Sequence, residues 1–208
     1  MDGVLIDSGE FHLESWRLLA EENGFTADDG LFWETFGQTN RQILPRFFGR
    51  DLSEEEIERF SNRKEELYRE IVKDQAQPMP GVMELIRSMV ECGWSIGIGS
   101  SGPKENVKLI MQCFELEPIV NAWTSAEDVT HGKPHPEVFL KVAQKLGVEP
   151  SRSVVVEDAI HGVEAAHAAG MKCIAITVTK KREDLKNADI IIDAFDELDP
   201  EKIERLLA

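Results

Sequence analysis

The residues of this chain best suited to chemistry stand in four short polar segments, each next to an apolar run. They are Asp2 and Asp7, Ser100 and Ser101, Lys133, and Glu157 with Asp158. Two adjacent carboxylates at the end of a strand suit Mg²⁺, which prefers oxygen ligands and keeps several waters. A hydroxyl with free backbone N–H groups at a helix start can hold a phosphate, and a lysine can offset the charge gathered there. Together the four segments predict a magnesium-dependent phosphoryl-transfer site.

Each segment also has an ordinary structural interpretation. Glu157 and Asp158 could be acids that stabilise a helix N-terminus, and Ser100 could open a capped strand-to-helix turn. Lys133 lies between Gly132 and Pro134 and could be a solvated loop cation. The chemical interpretation depends on position, because ligands of an open parallel sheet bind beyond the carboxyl ends of its strands.

The second part of the chain has the pattern expected of a parallel sheet with crossover helices. Short apolar runs rich in β-branched residues alternate with amphipathic segments from Val82 onward. The predicted strands are 94–99, 120–124, 153–156, 173–177 and 189–192. The predicted helices are 82–91, 104–114, 136–146, 162–169 and 200–207. This pattern predicts a doubly wound α/β domain.

The first part of the chain has helical periodicity and no run typical of a strand. Ser53 and Glu56 form a capping box at the start of a long amphipathic helix, and a proline-rich stretch at 77–81 follows it. We therefore predict an all-helical cap at residues 10–77, inserted into an α/β core of residues 1–9 and 78–208.

Composition limits the classes of partner and location. The 208 residues carry a formal net charge of -16, which opposes binding to nucleic acid or to an anionic membrane. No apolar run approaches the roughly 20 residues that span a bilayer, and the start lacks the pattern of a signal peptide. The expected protein is a cytoplasmic globular protein, with a monomer as the default.

Cysteine and histidine are the other common metal-ligating residue types, and their spacing bears on whether they form a metal site. Three scattered cysteines are expected to be reduced thiols without metal-ligand spacing, namely Cys92, Cys113 and Cys173. His131 and His135 have the spacing of helical metal ligands, but Pro134 and Pro136 argue against a helix there. Both histidines are therefore predicted to be loop residues.

In this order, the four segments resemble the haloacid dehalogenase superfamily over nearly the whole chain. The matching stretches are Asp2-Gly3-Val4-Leu5-Ile6-Asp7-Ser8, the apolar run that ends in Ser100, Gly132-Lys133-Pro134-His135-Pro136-Glu137-Val138-Phe139, and Val156-Glu157-Asp158 with the glycine- and alanine-rich segment after it. The helical insert resembles the cap of the branch that contains β-phosphoglucomutase, phosphoglycolate phosphatase and related sugar-phosphate phosphatases.

The resemblance implies a role for each site residue. Asp2 would be the general acid and base, and its backbone carbonyl would bind Mg²⁺. Ser100, with Ser101 beside it, would bind the transferring phosphoryl group, and Lys133 would offset its charge. Glu157 and Asp158 would hold the metal.

The same resemblance calls for a nucleophilic aspartate immediately before Met1. We expect the native protein to continue upstream through a short hydrophobic strand that ends in this aspartate. The alternative is a catalytically inactive relative.

Three cap residues resemble groups that close over an anionic substrate: His12, Arg41 and Lys64. A solvated helix face for Lys64 and a structural role for His12 remain open. Arg41 lies one place further from Gly37 than the resemblance to β-phosphoglucomutase requires, which favours a phosphatase over a mutase.

The expected function is removal of phosphate from a small phosphorylated metabolite, such as a sugar phosphate, through an aspartyl-phosphate. A phosphomutase and a non-catalytic relative are the alternatives. A receiver-type signalling domain fits poorly, because its acid pair would lie at the first strand.

Overall fold

The structure is a computed structural model that describes residues 1–36 and 38–208. It divides into two compact units. One comprises Ser8–Ala76, and the other joins Met1–Asp7 to Gln77–Ala208. Within the described residues, no helix combines the length and the apolar character needed to cross a membrane.

The unit at Ser8–Ala76 is helical throughout its described part. Its helices are α1 (Gly9–Asn23), α2 (Asp29–Thr35), α3 (Asn40–Phe48) and α4 (Glu54–Gln75). The capping box that starts α4 is confirmed: Glu56 N donates to Ser53 Oγ over 3.2 Å, and Ser53 N donates to Glu56 Oε2 over 2.9 Å. One face of α4 packs against α1 and α3 and closes a core that includes Trp16, Leu44 and Phe60.

The other unit has the predicted α/β architecture. Its strands are β1 (Ile96–Gly99), β2 (Val120–Thr124), β3 (Val154–Glu157), β4 (Lys172–Ile176) and β5 (Ile190–Ile192). Its helices are α5 (Val82–Glu91), α6 (Lys104–Cys113), α7 (Glu137–Leu146), α8 (Ile160–Ala168) and α9 (Pro200–Leu207). All strand pairs are parallel, as near-continuous apolar strands linked by helices require.

The parallel strands form two sheets where the sequence predicts one. β1 pairs with β2, and β4 lies between β3 and β5. Among the described residues, β1 and β3 therefore each have a strand partner on one side only. The first residues form a tight turn and not a strand, since Leu5 N donates to Met1 O over 2.7 Å and Gly3 N to Ile6 O over 2.8 Å.

Helix packing fixes where the strand ends lie. Helix α7 packs on β1 and β2, and α8 packs on β3 and β4. The shared apolar cluster includes Val138 and Phe139 of α7, Val163 of α8 and Cys173 of β4. Cys173 acts as apolar filler, and burial raises the pKa of its thiol. The loops that follow β1 and β3 thus extend from strands that are packed against helices.

Candidate active site

The turn at the start of the chain lies against the acid pair at the carboxyl end of β3, Glu157 and Asp158. Gly3 has a φ of +66°, a conformation that side chains disfavour, and a Cβ placed on it would collide with the Asp158 carboxylate. Only glycine allows this backbone to approach Asp158 so closely. Gly3 therefore serves both the turn and the close contact with Asp158.

Ser100 and Asp2 border the same small space beyond β1. Ser100 is 3% exposed, and its Oγ accepts a hydrogen bond from Gly102 N over 3.0 Å. A Cβ placed on Gly102 would lie 3.2 Å from Ser100 Oγ and 3.8 Å from Asp2 Oδ2. The neighbouring Ser101 is exposed. The Ser100 hydroxyl and the Asp2 carboxylate thus both lie beside Gly102, in the turn into α6.

Lys133 reaches the other side of this region through a buried ion pair with Glu157. Its Nζ contacts Glu157 Oε1 and lies 4.7 Å from the centroid of the Phe139 ring. Glu157 Oε2 accepts from Asp158 N over 3.0 Å and from Ala159 N over 3.1 Å. Burial opposes ionisation of Glu157, but the Lys133 charge keeps its pKa below the usual value.

Asp158 has a less favourable environment than Glu157. Burial, followed by the neighbouring Glu157 charge, raises the pKa of Asp158 to about 6. Thr179 Oγ1 donates to its Oδ2 over 2.5 Å and partly compensates. A buried acid whose charge is this poorly balanced fits a site that gains a cation, and its oxygen donors are those that Mg²⁺ prefers. The residues present therefore fit the predicted metal.

Contacts connect the predicted residues of the α/β unit into one group. Asp2 borders Ser100, Gly3 touches Asp158, and Lys133 pairs with Glu157. These contacts gather at the carboxyl ends of β1 and β3, where an open parallel sheet binds its ligands.

Sequence reasoning missed Thr179, which supports Asp158. The available signal was a hydroxyl just past the end of β4, the strand that pairs with β3. Thr179 also lines an open cleft of about 500 Å³ together with Lys180, Lys181 and Arg182. This cationic loop adjoins the acid pair and was not predicted either.

In the helical unit, His12 and Lys64 are in direct contact. Lys64 Nζ lies 2.7 Å from His12 Nδ1 and 3.0 Å from Glu65 Oε1, and the His12 ring stacks on Tyr68 at 4.1 Å. Lys64 is 3% exposed, so its interpretation as part of a solvated helix face is wrong. Two helices bury it among polar partners.

Arg41 lies in a different setting from that pair. Its guanidinium binds the Glu54 carboxylate through two hydrogen bonds of 2.7 and 2.6 Å, and both side chains are largely exposed. Gly37, from which the spacing to Arg41 was counted, lies outside the described residues. The predicted role of Arg41 in substrate binding stays a prediction.

A doubly wound fold with this cluster defines a class of phosphoryl-transfer enzymes, and comparison with known proteins identifies the family. Residues 1–176 match the haloacid dehalogenase-like hydrolase family. The chain is 30% identical to validoxylamine A 7'-phosphate phosphatase of Streptomyces hygroscopicus subsp. limoneus, over 95% of this chain and 92% of that protein.

Two solved structures extend the similarity to the fold. A hydrolase of the same superfamily, family IA variant 3, from Entamoeba histolytica has a TM-score of 0.91 and 26% identity, covering 100% of this chain and 96% of its own. A β-phosphoglucomutase from Clostridium difficile has a TM-score of 0.84 and 26% identity, covering 99% and 93%.

The chain belongs to the haloacid dehalogenase-like hydrolases, in the branch of sugar-phosphate phosphatases and β-phosphoglucomutases. It is an enzyme of the phosphomonoester hydrolase class. This membership decides against the receiver-type signalling domain.

Proposed function

We propose that this protein is a magnesium-dependent phosphatase that removes phosphate from a small phosphorylated metabolite through an aspartyl-phosphate. The observation that carries the proposal is the meeting of Asp2, Ser100, Lys133 and the acid pair at the carboxyl ends of β1 and β3. A carboxylate, a hydroxyl, a lysine and a metal-type acid pair are the parts that phosphoryl transfer needs.

Asp158 and the backbone carbonyl of Asp2 are the proposed metal ligands, with Glu157 beside them. Mg²⁺ bound there would supply a positive charge that draws negative charge off the transferring phosphoryl group. Both Glu157 oxygens already accept hydrogen bonds, from Lys133 and from two backbone N–H groups. In this arrangement Glu157 acts mainly by fixing Lys133, and direct ligation by it stays a prediction.

Asp2 and Ser100 divide the remaining work on the phosphoryl side. The Asp2 carboxyl would protonate the leaving oxygen and then take a proton from the attacking water. The Ser100 hydroxyl, oriented by Gly102 N, would donate to a phosphoryl oxygen, with the exposed Ser101 at the mouth of the same turn. Lys133 would balance the charge that develops between them.

An aspartate carried immediately before Met1 is the proposed nucleophile. Support comes from the sheet edges: among the described strands, β1 and β3 each pair on one side only, and the turn at Met1–Ile6 contacts the carboxyl ends of both. A parallel strand leading into that turn would pair with exposed ladder groups and bring its last residue to Asp2.

The cap is proposed to select the substrate through His12, Lys64 and Arg41. A phosphorylated carbohydrate or similar metabolite fits, since the relative from Streptomyces is by name a phosphatase of validoxylamine A 7'-phosphate. A β-phosphoglucomutase-like mutase is the second candidate, favoured by the similarity to the Clostridium difficile structure. A mutase must exclude water and rebind a sugar phosphate, so the two differ in their products.

Hydrolysis of p-nitrophenyl phosphate with and without Mg²⁺ tests the proposal. We would compare the 208-residue chain with a version that carries an added apolar strand ending in aspartate. Activity is expected in the extended version and should disappear with a chelator. No activity in either version would indicate that the protein is a catalytically inactive relative. Activity that persists with a chelator would contradict the proposed dependence on Mg²⁺.

A matched pair of variants distinguishes loss of a catalytic carboxylate from a general effect of changing an aspartate in this segment. In the extended version, Asp2→Asn should lower kcat by about 10²–10⁴-fold through loss of the acid and base. Asp7→Asn, an exposed aspartate in the same segment, should retain activity. A screen of phosphorylated metabolites for phosphate release or isomerised product then separates phosphatase from mutase.

A further inference from the structure

Two exposed histidines and one glutamate gather at the loop that leads into α7. The ligand atoms of His131, His135 and Glu137 all lie within 4.8 Å of one another. The two imidazole rings have centroids 4.6 Å apart, and His131 Nδ1 lies 3.2 Å from Glu137 Oε2. This group is separate from the acid pair at the end of β3 and has no part in the mechanism above.

We propose that His131, His135 and Glu137 form a binding site for Zn²⁺ or a similar borderline divalent ion. Two imidazole nitrogens and one carboxylate are a common three-ligand set for Zn²⁺, with water in the fourth position. The same nitrogens are poor ligands for Mg²⁺, which selects oxygen. The site would therefore bind Zn²⁺ in preference to Mg²⁺, even while Mg²⁺ is present for catalysis.

The geometry needs only small side-chain movements to close around an ion. In a tetrahedral site with bonds of about 2.0–2.1 Å, the ligand atoms lie about 3.3 Å from one another. The ligand atoms of His131, His135 and Glu137 now lie within 4.8 Å of one another, so they need to move only slightly closer. The His131 side chain is 63% exposed and His135 is also exposed, so both rings have room to rotate.

Glu137 offers a fixed point in the group. Its Oε1 accepts from Lys141 Nζ over 2.7 Å and from Thr130 N over 3.1 Å, so the carboxylate is oriented before any ion arrives. Its side chain is 16% exposed, and it opens helix α7. Preorganisation of one ligand lowers the entropic cost of binding.

The loop backbone explains how His131 and His135 meet without a helix. His135 N donates to Gly132 O over 3.0 Å, which closes a turn between the two histidines. Lys133 lies inside that turn, two residues from either ring. An ion held by the three side chains would clamp the segment that presents Lys133 to Glu157.

Isothermal titration of the whole, tag-free protein with Zn²⁺, in millimolar Mg²⁺ and with cysteines kept reduced, tests the site. We expect one ion per chain at this site, and His131→Asn or His135→Asn should each weaken that binding at least tenfold. Co²⁺ bound at the site should give a visible absorption band typical of four-coordinate nitrogen and oxygen ligation. This band should be absent in both variants. Circular dichroism checks that each variant folds.

His161→Asn is the matched control. His161 is also exposed and lies 3.2 Å from a glutamate, Glu164, three residues along α8. Among the described residues, the metal-type group of His131, His135 and Glu137 does not include it. This variant should bind Zn²⁺ as the wild type does. The proposal is overturned if His131→Asn and His135→Asn bind normally, if His161→Asn weakens binding equally, or if Mg²⁺ displaces Zn²⁺ at comparable concentration.

Discussion

Replacing Lys133 by methionine should destabilise the α/β unit far more than removal of an ordinary surface lysine. Methionine keeps an unbranched apolar side chain that can pack against the Phe139 ring, but it is one atom shorter and carries no charge. The Glu157 carboxylate would then stay buried beside Asp158 without its cation. The two adjacent buried acids would then lose the Lys133 charge, one of the positive charges that now offset them.

The burial of the Lys133–Glu157 ion pair sets the expected size of the destabilisation. The side chains of Lys133 and Glu157 are 15% and 7% exposed, so solvent screens their interaction poorly. Removing one member of a buried ion pair costs about 3–5 kcal/mol, because the remaining charge is left uncompensated. This loss is a large part of the roughly 5–15 kcal/mol that keeps a typical domain folded.

Urea unfolding, followed by fluorescence and circular dichroism, measures the change in the free energy of unfolding. The control is Lys108→Met, which breaks an exposed pair with Glu105 whose side chains are 43% and 60% exposed. That variant should lose no more than about 0.5 kcal/mol. Comparing the two isolates the effect of burial.

A double variant distinguishes an uncompensated charge from general damage. Glu157→Gln added to Lys133→Met removes the stranded charge and keeps an oxygen for the two backbone donors, so stability should return in large part. Phosphatase activity should stay lost, because the lysine is still absent. Equal costs for Lys133→Met and Lys108→Met, or no recovery in the double variant, would refute the reasoning.

Three further predictions concern the turn, the long helix and the cap. Gly3→Ala should lower phosphatase activity at least tenfold, since a Cβ would displace the Asp158 carboxylate; circular dichroism and kinetics check it. Ser53→Ala should lower the free energy of unfolding by about 1 kcal/mol through loss of the capping box, and thermal denaturation measures it. Burial opposes ionisation of Glu65, but the charge of Lys64 lowers its pKa to about 2. Its stabilising effect should be complete above pH 4.5 and fade as the pH falls towards 2, so unfolding free energies of wild type and Glu65→Gln should converge there. Unfolding free energies that converge at high pH, or that differ by the same amount at every pH, would contradict this prediction.

Local pattern was enough to predict most elements. The structure contains the predicted helices at Val82–Glu91 and Pro200–Leu207 and the predicted strand at Val120–Thr124 with the same bounds. Apolar periodicity and caps act within a few residues, so a sequence displays them directly. The strand predicted at 94–99 begins two residues later, at Ile96, because a strand starts where its partner does.

The burial of Lys64 shows where local pattern fails. The residues directly before and after it in the sequence, Arg63 and Glu65, are charged, and the sequence alone permits a solvated face. Lys64 contacts His12, which precedes it by 52 residues, and the adjacent Glu65. The charge and hydrogen bonds of these partners offset the free-energy cost of burying Lys64. Thr179 is a similar case, since only the pairing of β3 with β4 brings its hydroxyl to Asp158.

The sequence by itself determined the kinds of element, the residue types at the strand ends and the family that these segments resemble. Tertiary structure decided that the parallel strands form two sheets, that Lys133 pairs with Glu157, and that His131 and His135 meet Glu137 across a turn. The physical reason is range: backbone propensity acts between near neighbours, whereas pairing and burial depend on groups that only folding brings together.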